Sequence, residues 1–265
     1  MELWSVEHLK TIPITFVILL AFSLLMRKLL INKSYEVRMI PVKIIAVIIL
    51  VIEIVKQIVS ASRGYNLYHL PLHFCSIFVY FLPIMAFYRG KGEKYLRSTT
   101  CAAMLALFIG MLIIPGVIYS PNRISTFFTD YLAFHTVVFH NIVILAFFLT
   151  LALELHKPRG DRREMLFVAI FGSVFVAIAA TASHLLQTNF SNFLSSTIGF
   201  VADFVDELKL LIGDSVSSAV YTSVLAVLHV LLLVLTNYLF LLLARLVEYV
   251  SGKLKAKGKT KKSKE

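Results

Sequence analysis

With 265 residues, 58% of them hydrophobic and only 15% charged, the chain is too apolar for a water-soluble domain of its size. Its mean hydropathy is +0.83, and apolar surface on this scale must face lipid. The formal charge of +11 sits in short stretches between apolar runs and at the C-terminal end. There is no zinc-finger spacing, glycine-rich phosphate loop or basic stretch interleaved with aromatics, which excludes a nucleic-acid binder.

A membrane-spanning helix needs ~20 mostly apolar residues. Seven stretches qualify, at Ile12–Leu30, Ile40–Ser60, Leu67–Tyr88, Thr99–Tyr119, Asp130–Leu153, Met165–Gln187 and Ser218–Glu248. The sequence therefore predicts an all-α, polytopic bundle of about seven transmembrane helices. The first run is long, opens at Pro13 and is followed by Arg27 and Lys28 instead of small residues. It reads as an uncleaved span, not a signal peptide. Basic residues follow the first, third and fifth spans and the last one: Arg27, Lys28, Lys33 and Arg38; Arg89, Lys91, Lys94 and Arg97; Lys157, Arg159, Arg162 and Arg163; then Arg245 and seven lysines from Lys253 to Lys264. The other side carries only Lys10, Arg63, Arg123 and Lys209. Positive charge favours the cytoplasmic face, so the N-terminus is expected outside and the C-terminus in the cytoplasm of a multi-pass cell-membrane protein.

Two regions stand apart from this pattern. Residues 1–250 form the expected bundle, but the segment 188–217 within it is long and acidic, with Asp203, Asp206, Glu207 and Asp214. Phe200, Phe204, Leu208 and Leu211 recur at helical spacing, which fits either an amphipathic helix on the outer surface or an ordinary capping loop. Residues 251–265 read as a disordered, lysine-rich tail drawn to anionic lipids of the cytoplasmic leaflet. Cys75 and Cys101 fall at different depths in apolar runs, which argues against a disulfide.

Ionisable groups inside spans are costly, so each is a functional candidate. The second span carries Glu53 and Lys56 one turn apart, and a mutually neutralising pair is the plainest role for them. The third carries His73 and Cys75 after Pro71; the fifth His135, His140 and Asn141; the sixth Ser183 and His184; the seventh His229. At ~1.5 Å per residue these groups gather in the outer half of the bundle. His69, His135 and His184 lie near the interface, where a histidine most often only bonds a neighbouring helix. Cys75 is a small apolar residue by default, and a nucleophile only beside a base such as His73 or His140. No deep His-x-x-x-His pair exists, and residues five apart such as His135 and His140 point away from each other, which argues against a metal or other cofactor.

Leu70-Pro71-Leu72-His73-Phe74-Cys75, the Gly110 to Pro115-Gly116 segment, the Phe139-His140 pair and Asn189-Phe190 with Asn192 and Leu194 resemble, in order and spacing over roughly residues 40–195, the YwaF-like integral membrane proteins of bacteria. Glu53 and Lys56 fit the same resemblance. Eukaryotic proteins related to that family are multi-pass and implicated in moving fatty acyl chains between phospholipids, with a Pro-Cys-His cysteine as nucleophile and a later histidine assisting it. The resemblance places Pro71 and His73 at the flanking positions, His140 at the distant histidine and His229 at another. The cysteine position itself is Leu72, and Cys75 lies about one helical turn further on.

The resemblance implies phospholipid acyl-chain transfer or hydrolysis, with membrane phospholipids as partners. His140 would be the base, Cys75 or water the nucleophile, and His73 an assisting group. Glu53, Lys56, Asn141, Asn189 and His229 would support the site, with Lys56, Asn141 and Asn189 able to donate to an oxyanion. Two other classes stay open: a transporter or small-molecule-binding protein without chemistry, and a zinc-dependent lipid hydrolase.

Overall fold

The computed structural model describes residues 5–262 and is helical throughout. Helices α1 (Val6–Leu30), α2 (Tyr35–Ser62), α4 (Glu93–Ile113), α6 (Tyr131–Ala152), α7 (Arg162–Leu186) and α9 (Asp214–Lys262) are the long ones. All six are long and apolar enough to cross a membrane. A shorter α3 (Ile77–Phe87), a five-residue α5 (Pro121–Ser125) and α8 (Gly199–Ile212) complete the set. The molecule is a multi-pass membrane protein.

The third apolar stretch departs from expectation. Leu67–Tyr88 is not one span but two 3₁₀ turns, Leu67–His69 and Phe74–Ser76, followed by α3. The cause is local. Asn66 accepts the Tyr68 N–H and closes the first turn at 2.9 Å. Pro71 then lacks an N–H and forces Leu70 into an extended conformation (φ −56°, ψ 140°). What remains helical rises about 16 Å, roughly half the hydrocarbon thickness. The other half of that layer is filled by irregular backbone, which is tolerated where it is shielded by protein or lines a polar cavity.

Helix α4 is the centre of the bundle, packed against α3, α6, α7 and α9. Its run Ser98–Ala103 is small and fully buried, which lets neighbouring backbones approach closely. Helices α7 and α9 meet at Gly172, where a Cβ would come 2.7 Å from Leu233 Cδ1. Helix α6 packs on α1 and α2. The faces left over form an apolar belt suited to lipid, with Val17, Ile58, Val174 and Leu231 among the exposed side chains.

One end of the bundle is basic and tightly tied. Arg27 donates to the Ala152 carbonyl, to Glu154 at 2.8 Å and to Ser251 at 2.7 Å, while Arg38 donates to the Leu153 carbonyl at 2.7 Å. Two guanidinium groups thus satisfy the orphan carbonyls at the C-terminus of α6, where cations also suit the helix dipole. Nearby, buried Ser98 donates to the Glu164 carboxylate and accepts from His156 Nε2 at 2.8 Å. Burial, helped by the charge of Arg97, pushes the His156 pKa down to about 3.

The segment 188–217 contains α8, whose Phe200, Phe204 and Leu211 are exposed while Val205 and Leu208 are half-buried. Helix α9 runs past residue 250 to Lys262. Lysine and alanine favour helix, and an established helix needs no new nucleus to extend. Residues 263–265 of that segment lie outside those described.

Candidate functional site

At the end of the bundle opposite the basic one, a cavity of about 620 Å³ opens between α2, the 3₁₀ segment, α5 and α6. A cavity of this volume suits a small organic ligand or part of a lipid. It is lined by Glu53, Lys56, His73, Cys75 and His140 among the eight residues assigned to the site from sequence, together with the interface histidines His69 and His135 and with Arg123 and Asp130. Asn141, Asn189 and His229 do not line it.

Glu53 is the hub of its wall. The carboxylate is 2.8 Å from Lys56 Nζ and accepts from Gln57 Nε2 at 2.6 Å. His135 Nε2 reaches across from α6 to 3.1 Å from the other oxygen, close enough to pair although off the hydrogen-bond line. Gln57 in turn donates to the His69 carbonyl at 2.9 Å and accepts from Tyr65 at 2.5 Å, and Ser60 bonds His69 Nδ1 at 2.6 Å. One carboxylate therefore ties α2 to α6 and to the 3₁₀ segment. The Glu53–Lys56 pair lies one turn apart on a single helix, and His135 converts it into an interhelical network.

The histidines divide by how many ring nitrogens are committed. His73 Nε2 donates to the Tyr68 carbonyl at 3.0 Å, which leaves Nδ1 as acceptor for the Ser191 N–H at 3.4 Å. Its ring also meets Tyr68 and Phe190 edge-on. His73 is a brace with no nitrogen to spare. His140 Nδ1 donates to the Thr136 carbonyl at 2.6 Å, which fixes the tautomer and leaves the Nε2 lone pair free. His140 is itself one of the residues that line the cavity. Among the described residues no hydrogen bond joins Cys75 to an imidazole. Both cysteines are free thiols.

The irregular wall is held from outside by the segment after α7. Ser191 Oγ accepts the Phe74 N–H at 2.6 Å. To do so, Ser191 sits in the left-handed region with φ 50° and Asn192 follows at φ 66°, a conformation unfavourable for side chains other than glycine, asparagine and aspartate. Asn189 braces the same turn, donating to the Ser195 carbonyl at 3.0 Å and accepting from the Leu194 N–H at 3.0 Å. The Asn-Phe-Ser-Asn run thus shapes the wall rather than the lining. Asn141 accepts from Tyr119 at 2.6 Å and donates to the Val137 carbonyl. His229 donates to the Leu225 carbonyl between the rings of Phe74 and Phe193.

A family model described as the TMEM164 family matches residues 3–242, nearly the whole chain. The chain belongs to the TMEM164 family. The match reaches into every long helix and covers both walls of the cavity, so the six spans and the short α3 describe a member of this multi-pass membrane family. No curated protein and no solved structure matches the chain.

Two groups at the mouth carry no signal in the sequence beyond their charge. Asp130 caps α6 by accepting the Ala133 N–H at 3.2 Å and accepts from Arg63 at 2.7 Å. The Arg63 hydrogen bond holds its carboxyl below the usual carboxylate range. Arg123 projects from α5, its Nη1 donating to the carbonyls of Val117 and Ile118 at 2.5 and 2.9 Å. His135 was legible only as a helix–helix bond, and its position opposite Glu53 depends on the packing of α2 on α6. Among the described residues no three His, Cys, Asp or Glu side chains converge as metal ligands would.

Proposed function

We propose that this TMEM164-family protein transfers or hydrolyses a phospholipid acyl chain in the cavity, with His140 as general base. The observation that carries the reading is the free Nε2 of His140, held in one tautomer by Thr136 and facing a polar cavity that opens among lipid-exposed helices. The same chemistry is what the resemblance of the Pro71–Cys75 and Phe139-His140 segments implies through the eukaryotic relatives of the YwaF-like proteins. In the step envisaged, the attacking group is a lysolipid hydroxyl, water or the Cys75 thiol. His140 takes its proton as the new bond forms at the ester carbonyl. Lys56, a cation of the same lining, would meet the developing oxyanion. Collapse breaks the ester C–O bond, and the imidazolium returns the proton to the leaving alkoxide. His73 acts by holding the wall in place.

On the positive-inside pattern this end faces away from the cytoplasm. The exposed Phe200, Phe204 and Leu211 of α8 would rest in the lipid interface beside it. The lysines after residue 252 would lie against anionic lipid on the other leaflet.

The purified protein in nanodiscs, supplied with a diacyl phospholipid and a labelled lysolipid, is expected to acylate the lysolipid or release fatty acid. Mass spectrometry of the lipids reads both products. His140→Ala should lose turnover while keeping its melting temperature. Cys75→Ala separates the routes, since it stops a thiol pathway and spares attack by oxygen. Equal turnover in the parent and His140→Ala would refute the reading. Binding without chemistry is the rival, and the lack of an imidazole partner for Cys75 favours it. Ligand flux into sealed vesicles with unchanged lipids would establish that rival.

A further inference from the structure

The charges around the cavity do not cancel. Glu53 is paired with Lys56 and Asp130 with Arg63, at 2.8 and 2.7 Å. Arg123 has no carboxylate within ion-pair distance among the described residues. Only its Nη1 is engaged, by the carbonyls of Val117 and Ile118. Those two bonds hold the side chain in one place and leave the Nε and Nη2 donors uncommitted. Beside it on the same lining are Ser120 and Asn122, whose side chains make no hydrogen bond to the described protein. Burial lowers the Arg123 pKa from its ordinary value, so the cation is incompletely hydrated where it stands. An incompletely hydrated, immobilised cation with spare donors favours an anion.

Shape and depth narrow the anion. The Nε–Nη edge of a guanidinium matches two oxygens of a phosphate or carboxylate side by side. Ser120 and Asn122 add donors for the further oxygens that a phosphate carries and a carboxylate lacks. Helix α5 lies between the last turn of α4 and Asp130 at the first turn of α6, the level of the helix ends, where a bilayer carries its headgroups. His140 lines the same cavity from deeper in the bundle, its backbone nine residues beyond Tyr131 and about 13 Å further along α6. A headgroup held at the mouth would leave the glycerol and its esters pointing inward.

We propose that Arg123, with Ser120 and Asn122, forms a phosphate-binding subsite at the cavity mouth that takes the phosphodiester of a phospholipid headgroup. The proposal rests on reading the cavity as a lipid site, but not on any reaction there. The subsite makes phosphate the feature that separates a bound phospholipid from a neutral diacylglycerol with the same tails.

The test is equilibrium binding of a short-chain phosphatidylcholine and of the matched diacylglycerol to the full chain in detergent, with inorganic phosphate as competitor. The parent should bind the phospholipid more tightly than the diacylglycerol. Arg123→Gln should weaken phospholipid binding about tenfold or more and leave diacylglycerol binding unchanged, which also reports that the variant is folded. Arg123→Lys keeps the charge but loses the fork, and should fall between them. Equal phospholipid affinity in the parent and Arg123→Gln overturns the subsite, as does a loss shared equally by diacylglycerol. Inorganic phosphate binding more tightly than the lipid would make the free ion the occupant and overturn the headgroup assignment. Arg123-dependent binding without lipid turnover would sink the acyl chemistry and leave the subsite standing. Turnover indifferent to Arg123 would do the reverse.

Discussion

Removing the Glu53 carboxylate should reveal how the cavity is held together. Its side chain is only 7% exposed and that of Lys56 only 12%. Three nitrogens converge on it, from Lys56, Gln57 and His135. Glu53→Leu fills a similar volume but strands an ammonium beside an apolar side chain. Removing one member of a buried pair costs about 3–5 kcal/mol, most of it the penalty of the charge left behind. For a chain of this size that corresponds to a melting shift of roughly 6–20 °C. Lys56→Met in the same background should restore a large part of the loss, because the stranded charge goes with it. The coupling between the two sites is expected to be roughly 2 kcal/mol in the restoring direction. Thermal unfolding in one fixed detergent, run on the parent, both single variants and the double variant, measures that cycle. Additive losses would refute the account, since they would mean that Lys56 reaches water without Glu53 and that the network is incidental.

Two further predictions concern the ends of the bundle. His156 is held neutral by burial with a pKa of about 3, against an ordinary value of 6.5. Between those values the unfolded chain takes up a proton that the folded chain resists, so stability falls as pH drops from 6.5 toward 3, by up to about 1.4 kcal/mol per unit. His156→Gln should flatten that slope by nearly one proton in melting curves recorded from pH 7 to 4, and parallel profiles would show that His156 is not the group responsible. At the cavity end, Ser191→Ala leaves the Phe74 N–H without its acceptor and should cost about 1–3 kcal/mol; faster amide exchange confined to residues 67–76 is the expected signature, and unchanged exchange there would mean that the wall does not depend on this bond.

The long helices were legible because they follow from composition. Apolar runs of spanning length with basic residues at alternate ends leave few alternatives, and α1, α2, α4, α6, α7 and α9 fall on the runs read from the sequence. The third run misled for an equally physical reason. Averaged over Leu67–Tyr88 it is as apolar as a span, and hydropathy is blind to Pro71 and to the Asn66 turn that break it. That break brings His69, His73 and Cys75 into one cavity wall, where a continuous helix would have kept His69 and His73 on one face and turned Cys75 to the opposite one. The error in secondary structure and the formation of the site thus have one cause.

The site itself was legible in kind but not in connection. Isolated polar residues in apolar helices mark where something costly is maintained, and five of the eight singled out line one cavity. Their roles depend on partners remote in sequence. Ser191 occupies both the amide of Phe74 and the spare nitrogen of His73, across more than a hundred residues, and so turns a candidate base into a brace. Thr136, four residues from His140 and on the same helix, does the opposite by taking one nitrogen and freeing the other. Arg123 was counted only as one of four basic residues on the sparsely charged side. What distinguishes it is the lack of a paired carboxylate among the described residues, and that depends on Asp130 already being held by Arg63 and Glu53 by Lys56. A charge left unpaired in a fold is visible only once every other charge has found its partner. For that reason Arg123 tests the lipid reading more sharply than the histidines do: its role rests on an imbalance that no single position in the sequence displays.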